Sequence, residues 1–97
     1  GIGIEGANTH VPRHVARASG MEQPSGVRVT AVQKDGPAEH AGIKPGDLIV
    51  MVDGIQVLGI DDLLRLLNHE RAGAEIRITL LRKGEVRERH VATLDRR

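Results

Sequence analysis

The chain has 97 residues, which is the size of one domain, since domains commonly run to about 100–150 residues. An apolar fraction of 39% is enough for one core, and a net charge of +1 excludes an acidic tail and a strongly basic cradle for nucleic acid. Cys, Phe, Tyr and Trp are absent, which excludes disulfides, thiol catalysis, Cys-ligated zinc and aromatic platforms for bases. The longest apolar run, Leu48 to Val52, is far shorter than the roughly 20 residues of a membrane-spanning helix.

The first third of the chain predicts two extended segments with a helix between them. Residues 2–8 read as a short extended segment loosened by glycines. A helix is expected to have Pro12 in its first turn, Thr9 as its cap and Gly20 at its end. Residues 27–32 alternate apolar and mostly polar side chains, which is typical of a half-buried strand.

A helical turn and a buried strand are expected next. Pro37 at its start and Gly42 just past its end mark a single helical turn over residues 37–41. Residues 47–52 are nearly all apolar, as in a central strand that is buried on both faces. The dipeptide Asp53-Gly54 that follows predicts a tight turn.

The last third predicts one helix and a hairpin. Ile60 to Asn68 carries apolar residues at positions i, i+3, i+4 and i+7 on one face, and two aspartates occupy its first turn. Residues 75–81 and 86–94 are expected to be strands joined by a hairpin at 82–85, and the tail 96–97 is expected to be disordered.

These elements predict an α+β fold that is mainly β. We expect a small antiparallel barrel or sandwich of about five strands capped by two main helices, since a sheet of this size must bury one face against other elements. One domain should span residues 1–97, with an ordered core over about 2–94. The chain opens without a charged start or a signal peptide, so we expect a domain excised from a longer protein.

One segment identifies the family that the chain resembles. Residues 36–49 read GPAEHAGIKPGDLI, which resembles the G-x-A-x-x-A-G-φ-x-x-G-D-φ-I signature of bacterial PDZ domains. Ala38 and Ala41 would keep the short helix close to the core, and Gly42 would permit a left-handed exit from it. Asp47 can hydrogen-bond the local backbone. The segment is therefore expected to build the scaffold and to touch no ligand.

The resemblance implies a peptide-binding site at the start of the chain. PDZ domains bind a terminal carboxylate with a φ-G-φ loop, and Ile2-Gly3-Ile4 is similar to it, while the groove helix would be residues 60–68. A helix within 11–21 is similar to PDZ domains of HtrA/Deg-type serine proteases. The family often has a basic or polar residue just upstream of the loop, a position that falls before Gly1.

In such a site, the ligand would add as a strand beside residues 4–7, and its last side chain would enter an aliphatic pocket. This pocket should prefer Val, Leu, Ile or Ala, with micromolar affinity. Asp61 and Asn68 would line the rim, and Glu5 would favour a basic residue upstream in the ligand. The pocket walls are expected to be Ile2, Ile4, Leu64 and Leu67. The full expected set of peptide-binding residues is Ile2, Gly3, Ile4, Glu5, Gly6, Ala7, Asp61, Leu64, Leu67 and Asn68.

Motifs for other chemistries are weaker. The opening letters GIGIEG match a dinucleotide fingerprint, but no strand precedes them and no helix opens at their end. His10 and His14 are not in helical register if the helix begins near Pro12, so no metal pair is expected. Ser19 and Ser25 lie in turn contexts without a nucleophile motif, which indicates that neither is catalytic.

Charged clusters are explained by a solvated surface. Arginines near the last hairpin alternate with glutamates, which favours an exposed strand face over a phosphate site. Asp47 and Asp53 flank a buried strand and do not form a calcium loop. We therefore expect no catalytic residue, no cofactor and no metal in this chain.

The resemblance implies a non-catalytic module of an HtrA-like serine protease in the bacterial cell envelope or periplasm. Its partners would be the C-termini of unfolded or damaged proteins that end in an aliphatic residue, and the protease domain of the same parent chain, with no nucleic acid and no insertion into a membrane. Two alternatives stay open. The module could contact neighbouring domains or subunits as an assembly element, or belong to another parent, such as a membrane metalloprotease, a tail-specific protease or a secretion component.

Overall fold

The computed structural model describes residues 1–68 and 74–93, and these form six strands and three helices. The elements are β1 (Ile4–His10), α1 (Arg13–Ser19), β2 (Ser25–Val32), α2 (Pro37–His40), β3 (Leu48–Val52), β4 (Ile55–Gln56), α3 (Ile60–Asn68), β5 (Glu75–Arg82) and β6 (Glu85–Ala92). The expected mainly β class with two main helices is confirmed, and α2 is the expected helical turn. Among the residues described, no helix is long and apolar enough to cross a membrane.

The described strands form one antiparallel sheet in the order β1-β2-β3-β5-β6, with β4 paired to β3. Strands β1 and β6 therefore lie at the two edges of this path. The hairpin β5–β6 is continuously paired from Glu75 with Ala92 to Arg82 with Glu85. The predicted hairpin is thus confirmed, and its turn lies at Lys83 and Gly84, which both have a positive φ.

Two groups of buried aliphatic side chains hold the helices against the sheet. The main group includes Val27, Ile49 and Leu80, and α3 adds Leu63 to it. A second group places Ala16 of α1 beside residues of β3 and β5, among them Val50. Because neighbouring β3 residues Ile49 and Val50 belong to different groups, the expectation that this strand is covered on both faces is confirmed.

The segment after α2 is fixed by an ion pair between Asp47, whose side chain is 2% exposed, and Arg82, whose side chain is 22% exposed. Gly42 has a φ of 88°, the predicted left-handed exit, and Asp47 Oδ2 accepts Lys44 N–H at 2.8 Å, the predicted bond to local backbone. Asp47 also accepts two bonds from Arg82 of β5, each at 2.8 Å, and Arg82 donates a third to Gly42 O. The bond to Asp47 raises the pKa of the Arg82 guanidinium above its ordinary value.

Several boundaries differ from the sequence expectation. β1 starts at Ile4 and extends to His10, two residues beyond the expected end. Thr9 does not cap α1, because its hydroxyl donates to Ala7 O within the strand, and the cap position is Pro12. The short strand β4 was not expected. The predicted end of the last strand at residue 94 and the tail 96–97 lie outside the described residues.

Candidate functional site

Strand β1 has one side that no described strand occupies, since only β2 pairs with it. In an antiparallel ladder, pairs that exchange main-chain hydrogen bonds alternate with pairs that do not. Gln33 N–H donates to Gly3 O at 2.8 Å, and the next pair along the ladder is Ile4 with Val32. The main-chain N–H and C=O of Ile4 therefore point away from β2, toward the open edge.

The same alternation continues two residues later at Gly6, which lies opposite Val29. Val29 uses its main-chain groups on its other side: its N–H donates to Asp47 O and its O accepts Gly46 N–H, each at 2.8 Å. The main-chain groups of Gly6 therefore also face the open edge. Strand β1 presents hydrogen-bonding groups at every second residue there, which is the spacing that a further strand requires.

The loop before β1 is held in place by its carbonyl oxygens. Ile2 O accepts Ala38 N–H at 2.9 Å, and Gly3 O accepts Gln33 N–H at 2.8 Å. Within the part of the chain that the structure describes, Gly3 N–H donates to no partner. Gly3 has a φ of 80°, a conformation that favours glycine, and its N–H takes no part in the ladder with β2. Adjacent amides that are free in this way can form a concavity suited to an anion.

Helix α3 lies beside β1 and forms the second wall of a furrow, which we define as the space between residues 4–8 of β1 and α3. A Cβ on Gly6 would lie only 3.4 Å from Ile60 Cδ1 and 2.5 Å from Val27 Cγ1, so glycine lets strand, helix and core approach closely. Ile60 N–H donates to Asn8 Oδ1 at 2.7 Å. The loop and the helix predicted from the sequence are thus brought to the same edge of the sheet.

The residues predicted to form an apolar wall differ in their exposure. Leu64 is 51% exposed, and Ile4 and Leu67 are half-buried, where they pack against the main core. Ile60, which was not expected in the site, packs there too and precedes Leu64 by one turn of α3. Ile2 is different: its side chain is 1% exposed and belongs to the core, so the expectation that it lines an accessible pocket is corrected. Its contribution to the loop is its main chain.

The predicted polar rim residues are exposed. Glu5 lies on β1, and Asp61 and Asn68 lie near the two ends of α3. Ala7, the last expected strand contact, is half-buried. Nothing in the structure tests their contact with a ligand, so these assignments remain predictions.

Three surface cavities have no lining residue on α3, so none of them lies between β1 and this helix. One of about 510 Å³ lies beside α1 and is lined by residues 10–13 and 22–24, with Ala16 and Arg17. Another, of about 340 Å³, adjoins the loop and is lined by Gly3 to Glu5 and by residues 31–33, at and just after the end of β2. The feature of the furrow that could bind a peptide is therefore a free strand edge beside an exposed leucine, and not an enclosed cavity.

The other motifs considered in the sequence have structural partners. Ser19 and Ser25 donate their hydroxyls to the carbonyl oxygens of Ala16 and Leu58, at 3.2 and 2.7 Å. Near the hairpin, Arg87 pairs with Glu85 at 2.9 Å, in line with the predicted alternation of charges. Within residues 1–68 and 74–93, no group of three or more potential metal ligands occurs.

Comparison with known proteins decides the family. The sequence model of the PDZ domain family matches residues 28–82, more than half of the chain. The chain belongs to the PDZ domain family. The PDZ signature and the helix after the first strand therefore led to the correct family.

Relatives of this PDZ domain include bacterial proteases. It is 36% identical over 77 residues to a protein of Halomonas elongata named "Probable periplasmic serine endoprotease DegP-like", covering 79% of this chain and 16% of the relative. It thus spans about a sixth of that relative's length. Among solved structures, the "HtrA-type protease AlgW with decapeptide" is 26% identical with a TM-score of 0.77, covering 100% of this chain and 29% of that one.

A second solved structure is of similar size to this domain. The "HtrA3 PDZ Domain Bound to a Phage-Derived Ligand (FGRWV)" is 26% identical with a TM-score of 0.73, covering 95% of this chain and 82% of that one. The PDZ fold therefore extends over nearly all of the present chain.

Three residues at the furrow were missed in the sequence. Asn8 reaches α3, Gln33 holds the loop, and Ile60 faces Gly6. The apolar stripe of the helix already contained Ile60, but no local pattern signals the pairing of Asn8 with a residue 52 positions away.

Proposed function

We propose that this PDZ domain binds the free C-termini of peptides that end in an aliphatic residue, by adding them as a strand to the open edge of β1. The observation that carries the proposal is the outward-facing main chain of Ile4 and Gly6 beside the unpartnered amide of Gly3. Two structurally similar proteins are described with a peptide, one with a decapeptide and one bound to the ligand FGRWV, which supports the same use of this fold.

Recognition would have three parts. The amides of Gly3 and Ile4 would bind the terminal carboxylate, the edge of β1 would pair with the ligand main chain, and the last side chain would lie against Ile4, Leu64 and Leu67. Burial of one aliphatic side chain contributes about 1.5–3 kcal/mol. With a few strand hydrogen bonds of about 1 kcal/mol each, less ordering costs, affinity should be micromolar, near −8 kcal/mol or weaker.

We further propose that the domain is the substrate-recognition or regulatory part of an HtrA-like serine protease of the cell envelope. This rests on relatives named periplasmic serine endoproteases. The catalytic residues would belong to another domain of the parent, and C-termini of unfolded or damaged proteins would be the ligands. The module would either capture substrate for the protease or transmit the presence of a bound peptide to it.

Titration with one peptide in two chemical forms tests the proposal. A labelled eight-residue peptide ending in Val is measured as the free acid and as the C-terminal amide, with a free acid ending in Gly as the control for the pocket. We expect micromolar binding of the Val acid and at least about tenfold weaker binding of the other two, which corresponds to about 1.4 kcal/mol. Equal binding of acid and amide would refute carboxylate recognition and favour an assembly role for this surface.

A further inference from the structure

The start of α3 is capped by a side chain from the edge strand. The first amides of a helix have no partner within the helix, and the preceding residue commonly supplies one. Gly59 precedes α3 and has no side chain, and Ile60 N–H donates instead to Asn8 Oδ1 of β1 at 2.7 Å. A Cβ on Gly59 would lie 3.0 Å from the same oxygen, so glycine is what permits this approach.

This bond connects the two walls of the furrow directly. The start of α3 has other polar contacts: Asp62 accepts Leu58 N–H at 2.9 Å and pairs with Arg65, and Ser25 of β2 donates its hydroxyl to Leu58 O at 2.7 Å. None of these three contacts involves β1. Among the described residues, Asn8 therefore supplies the side-chain hydrogen bond that joins β1 to the first residue of α3, whereas the middle of the helix is anchored in the core through Leu63.

The bond lies at the end of the furrow that is distant from the carboxylate loop. Asn8 follows Gly3 by five residues, or about 17 Å along an extended strand. An antiparallel ligand whose last residue lies beside Ile4 would have its antepenultimate residue beside Gly6, with both side chains on the face toward α3. The closest side chain of α3 at this point is Ile60, whose Cδ1 would lie 3.4 Å from a Cβ on Gly6, so the wall that this ligand side chain meets is the residue whose amide Asn8 holds.

We propose that Asn8 is a positioning residue, which fixes Ile60 and thereby sets the preference for the antepenultimate side chain of the ligand. The inference rests on the proposed function. Asn8 acts through α3 and leaves the recognition of the last residue to Ile4, Leu64 and Leu67.

The ratio of the affinities for Val and for Gly at each of two ligand positions tests this role. Binding of free-acid peptides is measured with Val or Gly at the antepenultimate position and with Val or Gly at the last position. The proteins are the wild type, Asn8→Ala, Asn8→Asp and Thr9→Ala. Asp keeps an oxygen that accepts Ile60 N–H, and Thr9 is a matched control because its hydroxyl bonds only Ala7 O of its own strand.

We expect the wild type to favour Val over Gly several-fold at both positions. Asn8→Ala should lower the antepenultimate ratio to near one while it retains the ratio at the last position, and Asn8→Asp and Thr9→Ala should retain both ratios. If the wild type shows no preference at the antepenultimate position, or if Asn8→Ala keeps that preference, the proposed role of Asn8 is overturned and the proposed function is not. Equal loss of both ratios would indicate a merely structural role and would also overturn it. Failure of the wild type to distinguish acid from amide refutes the proposed function itself.

Discussion

The carboxylate loop can be tested by adding one methyl group at Gly3, with the same change at Gly20 as a matched control. Both glycines have a positive φ, of 80° and 76°. A Cβ on Gly3 would lie 3.0 Å from Gln33 Oε1 and 3.1 Å from Gln33 Cβ, whereas a Cβ on Gly20 would meet nothing within 4 Å. Comparison of the two variants therefore separates the stability lost through the backbone conformation from the stability lost through the contact with Gln33.

The expected magnitudes follow from these distances. An alanine in the left-handed region costs about 1–2 kcal/mol, which is the full effect expected for Gly20→Ala. Gly3→Ala adds overpacking against Gln33, which typically costs about 1–3 kcal/mol, so its free energy of unfolding should fall by about 2–5 kcal/mol. Because the loop must shift to relieve the contact, the amides that face the ligand should shift too, and affinity should fall by about tenfold, or about 1.4 kcal/mol.

Urea unfolding gives the two stabilities, and calorimetric titration with a Val-terminated peptide gives the two affinities. Gly20 ends α1, away from the furrow, so Gly20→Ala should bind the peptide as the wild type does. If Gly3→Ala loses no more stability than Gly20→Ala and binds the peptide equally well, the assignment of the loop is refuted.

Two further predictions concern stability and the apolar wall. Asp47→Ala should lower the free energy of unfolding by about 3 kcal/mol, because it leaves Arg82 without its carboxylate. The control Glu85→Ala breaks an exposed ion pair and should lower it by less than about 1 kcal/mol. Equal losses for the two variants in chemical denaturation would contradict this. Leu64→Ala should lower peptide affinity about fivefold with little change in stability, since the side chain is 51% exposed. The control Ile55→Ala, on β4 with a side chain that is 55% exposed, should change neither affinity nor stability. A Leu64→Ala variant that binds the peptide like the wild type would contradict the assignment of Leu64 to the apolar wall.

Local patterns were sufficient for much of the fold. The helix Ile60–Asn68 begins at the predicted residue, and it is helical as far as the structure describes it before the gap at residues 69–73, because its apolar stripe and first-turn aspartates are all within the segment. Gly20 follows the end of α1 and Gly42 provides the left-handed exit after α2, both as predicted, and both have a positive φ. These features depend on neighbouring residues only, so the sequence contains the whole signal.

Features that depend on distant residues were not predictable in the same way. Ile2 reads as a pocket residue beside the loop, but the packing of α2 and the sheet buries it in the core. The bonds from Arg82 to Asp47 and from Ile60 to Asn8 join residues 35 and 52 positions apart. No periodicity encodes such pairs, and they become visible only when the topology brings their elements together.

Amide resonances of a ¹⁵N-labelled domain provide the most direct measurement of how the loop binds a ligand. During titration with the Val-terminated free acid, the signals of Gly3 and Ile4 should shift strongly, while that of Gly20 should stay in place. The C-terminal amide of the same peptide, at equal concentration, should leave the Gly3 signal nearly unchanged. Equal shifts of Gly3 with both forms, or no shift with either, would contradict carboxylate binding at the start of β1.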